Sequence, residues 1–493
     1  MLPMNIIWPW SSQACATSVI KIGKMFFIAI LALALFANAS TIQSGQDIQT
    51  AINSAKAGDM IIAGSGEFNT FEVDKPLTIM GQSGSILHAA IQKPAIKINS
   101  DGVKIIGFKI LGVGKDTTAK FNYYMQNPAK ASGKRLDQPN AAVVVNADNV
   151  HLENTIIFGA QAGLTATNAD NLTLKNITLE SCESGASLTR CLNSRIESCS
   201  FSNCDKYGLD VEQCREIILE GNRIVNTSSA GALVKESEGC SVQENTFSGN
   251  TFGLSLWKTV QSQVLRNRVD HNYYGILITD SSNNNTIADN VAKDNSRSEI
   301  VSGFGIGISL QENSSYNIVF RNTAKGNFNG LEVSKGCKSN VLLGNNASDN
   351  SHGIRMNENR NNVIYGNNFY NNKINAYENA SLNIWNTTIG NYYSDYQGKD
   401  ENGDCIGDKS YSLPGQDSIA KDYYPLTRPY HEASLNASEL MDVVKKYAKY
   451  GPIYGEIPAY RKQDGTIVIS SQLRTSPPKW SNSQPLDVNT PPY

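Results

Sequence analysis

Asp210 and Glu212 stand two residues apart in a run that alternates apolar and polar, so an extended chain turns both carboxylates to one side. Carboxylates placed that way can divide into acid and base, or hold a cation. Lys235, Trp257, Glu332 and Arg355 recur at matching places further along. An exposed indole offers a flat apolar plane to a sugar ring, and charged neighbours can hydrogen-bond its hydroxyls. These six residues form the candidate glycan-binding face, with Asp210 and Glu212 as the candidate catalytic pair. A solvated sheet face with ordinary polar residues is the plainer reading of the same pattern.

A second constellation is Asp400-Glu401-Asn402-Gly403-Asp404-Cys405-Ile406-Gly407-Asp408. Oxygens of Asp400, Asn402, Asp404 and Asp408 could converge on a hard cation, and calcium suits such ligands. The stretch departs from a calcium-loop pattern where Cys405 takes the turn-glycine place and Tyr411 that of the bidentate acid. An Asx-rich turn explains it equally well. The chain has nine Cys but no C-x-x-C pair, which argues against zinc or redox chemistry.

Such residues need a scaffold, and the spacing supplies one. An Asn or small substitute ends a β-rich run at Asn154, Asn176, Cys199, Asn222, Asn245, Asn267, Asn290, Asn322, Asn345 and Asn367. A Gly followed by a small or aliphatic residue recurs at Gly163, Gly185, Gly208, Gly231, Gly253, Gly275, Gly307, Gly330 and Gly353. Both series step by 22 or 23 residues with one shared step of 32. Short alternating runs closed by Asn, Gly, Asp or Ser are strands and turns, not helices. The expected fold is all-β: a right-handed parallel β-helix, a solenoid of about a dozen coils of 22–23 residues with short capping helices.

In that solenoid Leu209, Leu254, Ile276, Ile308, Leu331 and Ile354 should line one interior column, and Val211, Leu256, Ile278, Leu310, Val333 and Met356 another. Turn residues such as Asn250, Asn272, Asn295, Asn327, Asn350 and Asn372 should stack as amide ladders. Cys191, Cys214 and Cys337 fall at one equivalent position, and Cys182 and Cys204 at another, so they read as small core or ladder residues. Positions two and four after each Gly should face outward. Insertions at 112–139 and around Arg297–Phe304 share one turn and should project beside that outward face; the basic, Tyr-bearing first insertion would suit an acidic polysaccharide.

The ends differ from the repeat. Lys21 and Lys24 precede an apolar run from Met25 to Phe36, and Ala37-Asn38-Ala39 gives a small-x-small site. Residues 1–39 therefore read as a signal peptide, with a retained anchor as the alternative. The β-helix domain is expected over 40–430, with Gln46 to Lys56 as its capping helix. Residues 431–493 should add a helix at 436–450, a hairpin between Tyr460 and Ile469, and a mobile Pro- and Ser-rich tail. Charge is balanced, 43 Lys and Arg against 45 Asp and Glu, which argues against a nucleic-acid partner.

Residues 40–430 resemble the secreted β-helix proteins named for the NosD copper-maturation factor, which overlap a broad carbohydrate-binding and sugar-hydrolase class. The resemblance is carried by Thr41-Ile42-Gln43 with Ile48-Gln49-Thr50-Ala51-Ile52 and Ala57-Gly58-Asp59, and by Asn383-Ile384-Trp385, Gly390-Asn391-Tyr392-Tyr393-Ser394-Asp395-Tyr396 and Asp422-Tyr423-Tyr424-Pro425-Leu426. It implies the fold and a place outside the cytoplasm: extracellular, cell-surface or periplasmic. Activity does not follow, because such folds host many functions. The short strings of β-helix pectinases are absent. Five dispersed His and eight dispersed Met give copper no clustered ligand set. The leading expectation is a β-helix that binds, and could process, polysaccharide. The alternatives are a non-enzymatic accessory of a membrane transporter or copper-enzyme assembly, and a structural surface protein.

Overall fold

The computed structural model describes residues 39–89, 93–112, 141–295, 304–387, 389–416, 418–430, 459–461 and 467–469. Three long parallel sheets of 15, 14 and 13 strands, here sheets A, B and C, run the length of the solenoid. Each coil gives one strand to A, then B, then C, and each strand pairs in parallel with its equivalent one coil on. The chain is a right-handed parallel β-helix of about 14 turns. That exceeds the expected dozen because the first coils depart from the period: Met60 pairs with Thr78, and Thr78 with Lys104. At about 4.8 Å per coil the rod is roughly 60 Å long.

Period-2 alternation decides what lies inside. The two aliphatic columns are at most 1% exposed from Leu209 to Met356. The Gly anchor has a steric cause. A Cβ on Gly253 would lie 2.5 Å from the carbonyl oxygen of Gly275, so successive coils can approach there only without side chains.

Side-chain columns stand at the corners. Main-chain N–H groups of Asn222, Asn245, Asn267, Asn290, Asn322, Asn345 and Asn367 each donate to the Asn Oδ1 one coil on, at 2.9–3.1 Å. The expected column from Asn250 to Asn372 repeats this at 2.8–3.2 Å, and a third runs from Asn285 to Asn383. Two columns end on buried acids: Asn383 donates to Glu378, and Asn391, the last rung after Asn367, to Asp422. The eight described cysteines are all buried. Cys191 donates its N–H to Cys214 Sγ, and Cys199 to Asn222 Oδ1, so they are ladder members as read.

One anchor needs correction. The pairing of Thr178 with Ser200 aligns Cys199 with Ile177, not Asn176. Asn154 and Asn176 sit one residue earlier, at left-handed corners with φ of 54° and 50°. Asn suits both places, because its short amide tolerates that backbone and also fits a ladder.

The N-terminal cap is a helix at Ile48–Ser54, shorter than the expected span, with Asp47 capping its first turn and Ile48 and Ile52 fully buried. Ala459–Arg461 pairs antiparallel with Ile467–Ile469, as the expected hairpin requires. The expected signal peptide, but for Ala39, the expected 436–450 helix and almost all of both insertions lie outside the described residues. Strands flanking the insertions belong to sheets B and C in both cases, which places the two at the same corner.

Candidate functional site

The outward face of sheet C carries all six candidate glycan residues, in two groups. In the first, Asp210 and Glu212 lie on Leu209–Glu212, Lys235 on Ala230–Lys235 and Trp257 on Phe252–Trp257. Glu212 pairs with Lys235 at 2.5 Å, so it is committed to a cation. Burial, then the Glu212 charge, pushes the Asp210 carboxyl up to about 6, and its Oδ1 has no hydrogen-bond partner. The Trp257 indole donates to Asp280 and carries Lys235 Nζ 5.0 Å and Lys258 Nζ 5.4 Å from its ring centroid. Two ammonium groups therefore stand over the plane expected to receive a sugar.

Glu332 and Arg355 form the second group, three strands further, about 14 Å along the rod. They are register partners, on Asn329–Ser334 and His352–Asn357. Glu332 is buried, where a solvated face was expected. The outward side chains cover one another: Gln311 Nε2 donates to Ser309 at 2.8 Å and to Glu332 Oε1 at 3.3 Å. Asn329 Nδ2 donates to Glu332 Oε2 at 2.6 Å, and Arg355 Nη1 is 3.8 Å away. Burial pushes the Glu332 carboxyl up, against the pull of Asn329 and Arg355.

Around this pair runs a groove of about 470 Å³. Ring contacts link Phe304 to Phe328 (5.0 Å), Phe328 to His352 (5.6 Å) and His352 to Tyr377 (5.7 Å), while Tyr273 and Tyr274 line the groove too. His352 Nδ1 lies 3.0 Å from Asn329 Oδ1, and burial with Arg355 lowers the imidazole pKa. These aromatic residues, with Asn329 and His352, escaped sequence reading. Part of their signal was the position just before the Gly anchors, where Tyr274, Ile306, Asn329 and His352 follow one another; Tyr273, Phe304, Phe328 and Tyr377 stand elsewhere. Phe304 closes the second insertion, so that corner does adjoin the groove. A larger recess of about 640 Å³ includes Asn313, Tyr316, Lys338 and Arg360.

At the acidic loop, Asp400 accepts from the N–H groups of Asp404 and Cys405 at 2.8 and 2.7 Å, Asp404 from Ile406 at 2.7 Å, and Asp408 from Glu401 at 3.0 Å. This is the bonding of an Asx-rich turn, with each of these carboxylates turned to its own loop. Among the described residues no group of three or more His, Cys, Asp and Glu could hold a metal ion.

The family described as "Periplasmic copper-binding protein (NosD)" matches residues 123–303 and 296–398, more than half of the chain. The chain belongs to the NosD family. Its described residues do not fit copper: Cys191, Cys199 and Cys214 direct their thiols to main-chain carbonyls, and His88, His151 and His352 lie on different sheets. No curated protein matches the chain. Similar solved structures include the A-module of mannuronan C-5 epimerase AlgE6 from Azotobacter vinelandii, at 12% identity over 69% of this chain and 96% of that one, TM-score 0.48. The periplasmic alginate epimerase AlgG shares 14% over 70% and 84%, TM-score 0.42, and the Dettilon tailspike protein 16% over 62% and 67%, TM-score 0.46. At these identities no chemistry passes from them to this NosD-family chain.

Proposed function

We propose that this NosD-family protein works outside the cytoplasm and binds an extended polysaccharide along sheet C, with the Phe304–Tyr377 groove as its central subsite. The observation that carries the reading is the aromatic string beside a buried polar cluster. Rings bury the apolar faces of sugars, while Arg355, His352 and Glu332 offer hydrogen bonds and charge. Equivalent positions recur every coil, so Asp210, Lys235 and Trp257 extend the same track, and a polymer suits it better than a single sugar.

Panels of neutral and acidic polysaccharides, offered to the exported protein, test this. Tyr377→Ala should weaken binding about tenfold, as loss of one ring contact does, without changing the melting point. If nothing binds, or if Tyr377→Ala binds as well as the parent, the accessory role that NosD membership favours takes its place.

A further inference from the structure

We propose that His352 is a general base acting on a carbon acid: the ring carbon beside the carboxylate of a uronate sugar. This rests on the glycan reading of the groove and goes beyond binding to an activity. The geometry fixes the tautomer. The Asn329 amide gives Nδ2 to Glu332 and presents Oδ1 to His352 Nδ1. A carbonyl oxygen only accepts, so Nδ1 carries the hydrogen, and the neutral ring keeps its lone pair on Nε2. Glu332 is pinned in turn by Gln311, which makes a relay of Glu332, Asn329 and His352 across two coils.

The charged and titratable groups facing the imidazole are Glu332 across Asn329, Arg355 on its own strand and Tyr377 on the next. Burial and Arg355 both favour the uncharged ring, the form a base requires. Among the described residues Glu332 is the one carboxylate lining the groove, and both its oxygens accept amide hydrogens, so that lining offers two-carboxylate glycoside hydrolysis no second partner. A base beside a guanidinium suits enolisation instead. The C–H proton passes to Nε2, and its electron pair moves into the substrate carboxylate, whose negative charge Arg355 offsets. Return of a proton from the imidazolium restores the carbon with a solvent-derived hydrogen, and no oxidant or reductant is consumed.

The test incubates the full chain in D₂O with polygalacturonate, polymannuronate and, as neutral control, xylan. Binding and deuterium entry at the ring carbon are followed together. Exchange on a uronate polymer is expected, with His352→Gln reducing it at least 100-fold, far more than it lowers affinity, while the melting point holds. Asn329→Asp should move the acidic limb of the rate profile to higher pH, because a carboxylate facing Nδ1 stabilises the imidazolium. A merely structural Asn329 would not shift it. A bound uronate polymer with no exchange, exchange unaltered in His352→Gln, or binding of xylan alone overturns the base and leaves the glycan reading standing. Failure to bind any polymer overturns both.

Discussion

Replacing Asn290 with leucine keeps the branching of a fully buried ladder residue, adds some bulk and deletes its amide. Oδ1 accepts from the Asn267 N–H at 2.9 Å and from Asn267 Nδ2 at 3.0 Å, while Nδ2 donates to the Val264 carbonyl and to Asn322 Oδ1, both at 2.9 Å. Some partners have a second bond: Asn267 Nδ2 keeps the Val242 carbonyl, and Asn322 Oδ1 keeps the Asn290 N–H. The Asn267 N–H is left bare, and the Val264 carbonyl loses a donor. At about 1–3 kcal/mol per buried group left unpaired, the substitution should cost about 2–4 kcal/mol. Solenoid coils answer mainly to their neighbours, so the loss should be local. Amide exchange at Asn267 should accelerate about 100-fold, at about 1.4 kcal/mol per factor of ten, with residues near Ile96 unchanged. Asn222→Cys is the control, because Cys214 already accepts a ladder N–H through sulfur at 3.3 Å, and should cost under about 1 kcal/mol. Equal effects of the two, or unchanged exchange at Asn267, would refute the ladder as a source of stability.

Two further outcomes are expected. Burial pushes both Glu378 and Asp422 up to about 7 from ordinary values of 4.5 and 3.8. The folded C-terminal cap therefore holds protons that the unfolded chain releases, and its stability, full below about pH 4, should fall as pH rises through 7. Asp422→Asn should flatten that slope, and exchange protection that rises with pH would contradict the assignment. At the 400–408 loop, millimolar calcium should leave the melting point unmoved, since Asp400, Asp404 and Asp408 already serve the loop's N–H groups. A rise that Asp404→Ala abolishes would support the cation reading.

The fold was legible because every coil meets the same demands. Gly253 and Gly275 recur where backbones touch, and Leu256 and Ile278 where the interior is dry. The register slip at Asn154 and Asn176 arose because one residue type satisfies two neighbouring corner positions. The site was half legible. Glu332 and Arg355 follow from the outward periodicity, but the bond between Asn329 and His352 joins residues 23 apart. The repeat sets Asn329 beside His352, but it does not say that their side chains will turn to each other and bond. Likewise the sequence offers Trp257 as an open ring, whereas packing sets Lys235 and Lys258 over it.

The corner columns also give the rod an electrical direction. Each rung donates from one coil to Oδ1 of the next, so small amide dipoles align and leave spare donors at the last rung. An α-helix meets the same imbalance at its N-terminus and favours an anion there. Here carboxyl oxygens of Glu378 and Asp422 take those donors, built in at the donor end. A second rod presenting its own acceptors would find those donors already taken. The two acids thus act as a terminator, which stops the ladder from being copied into an end-to-end fibre.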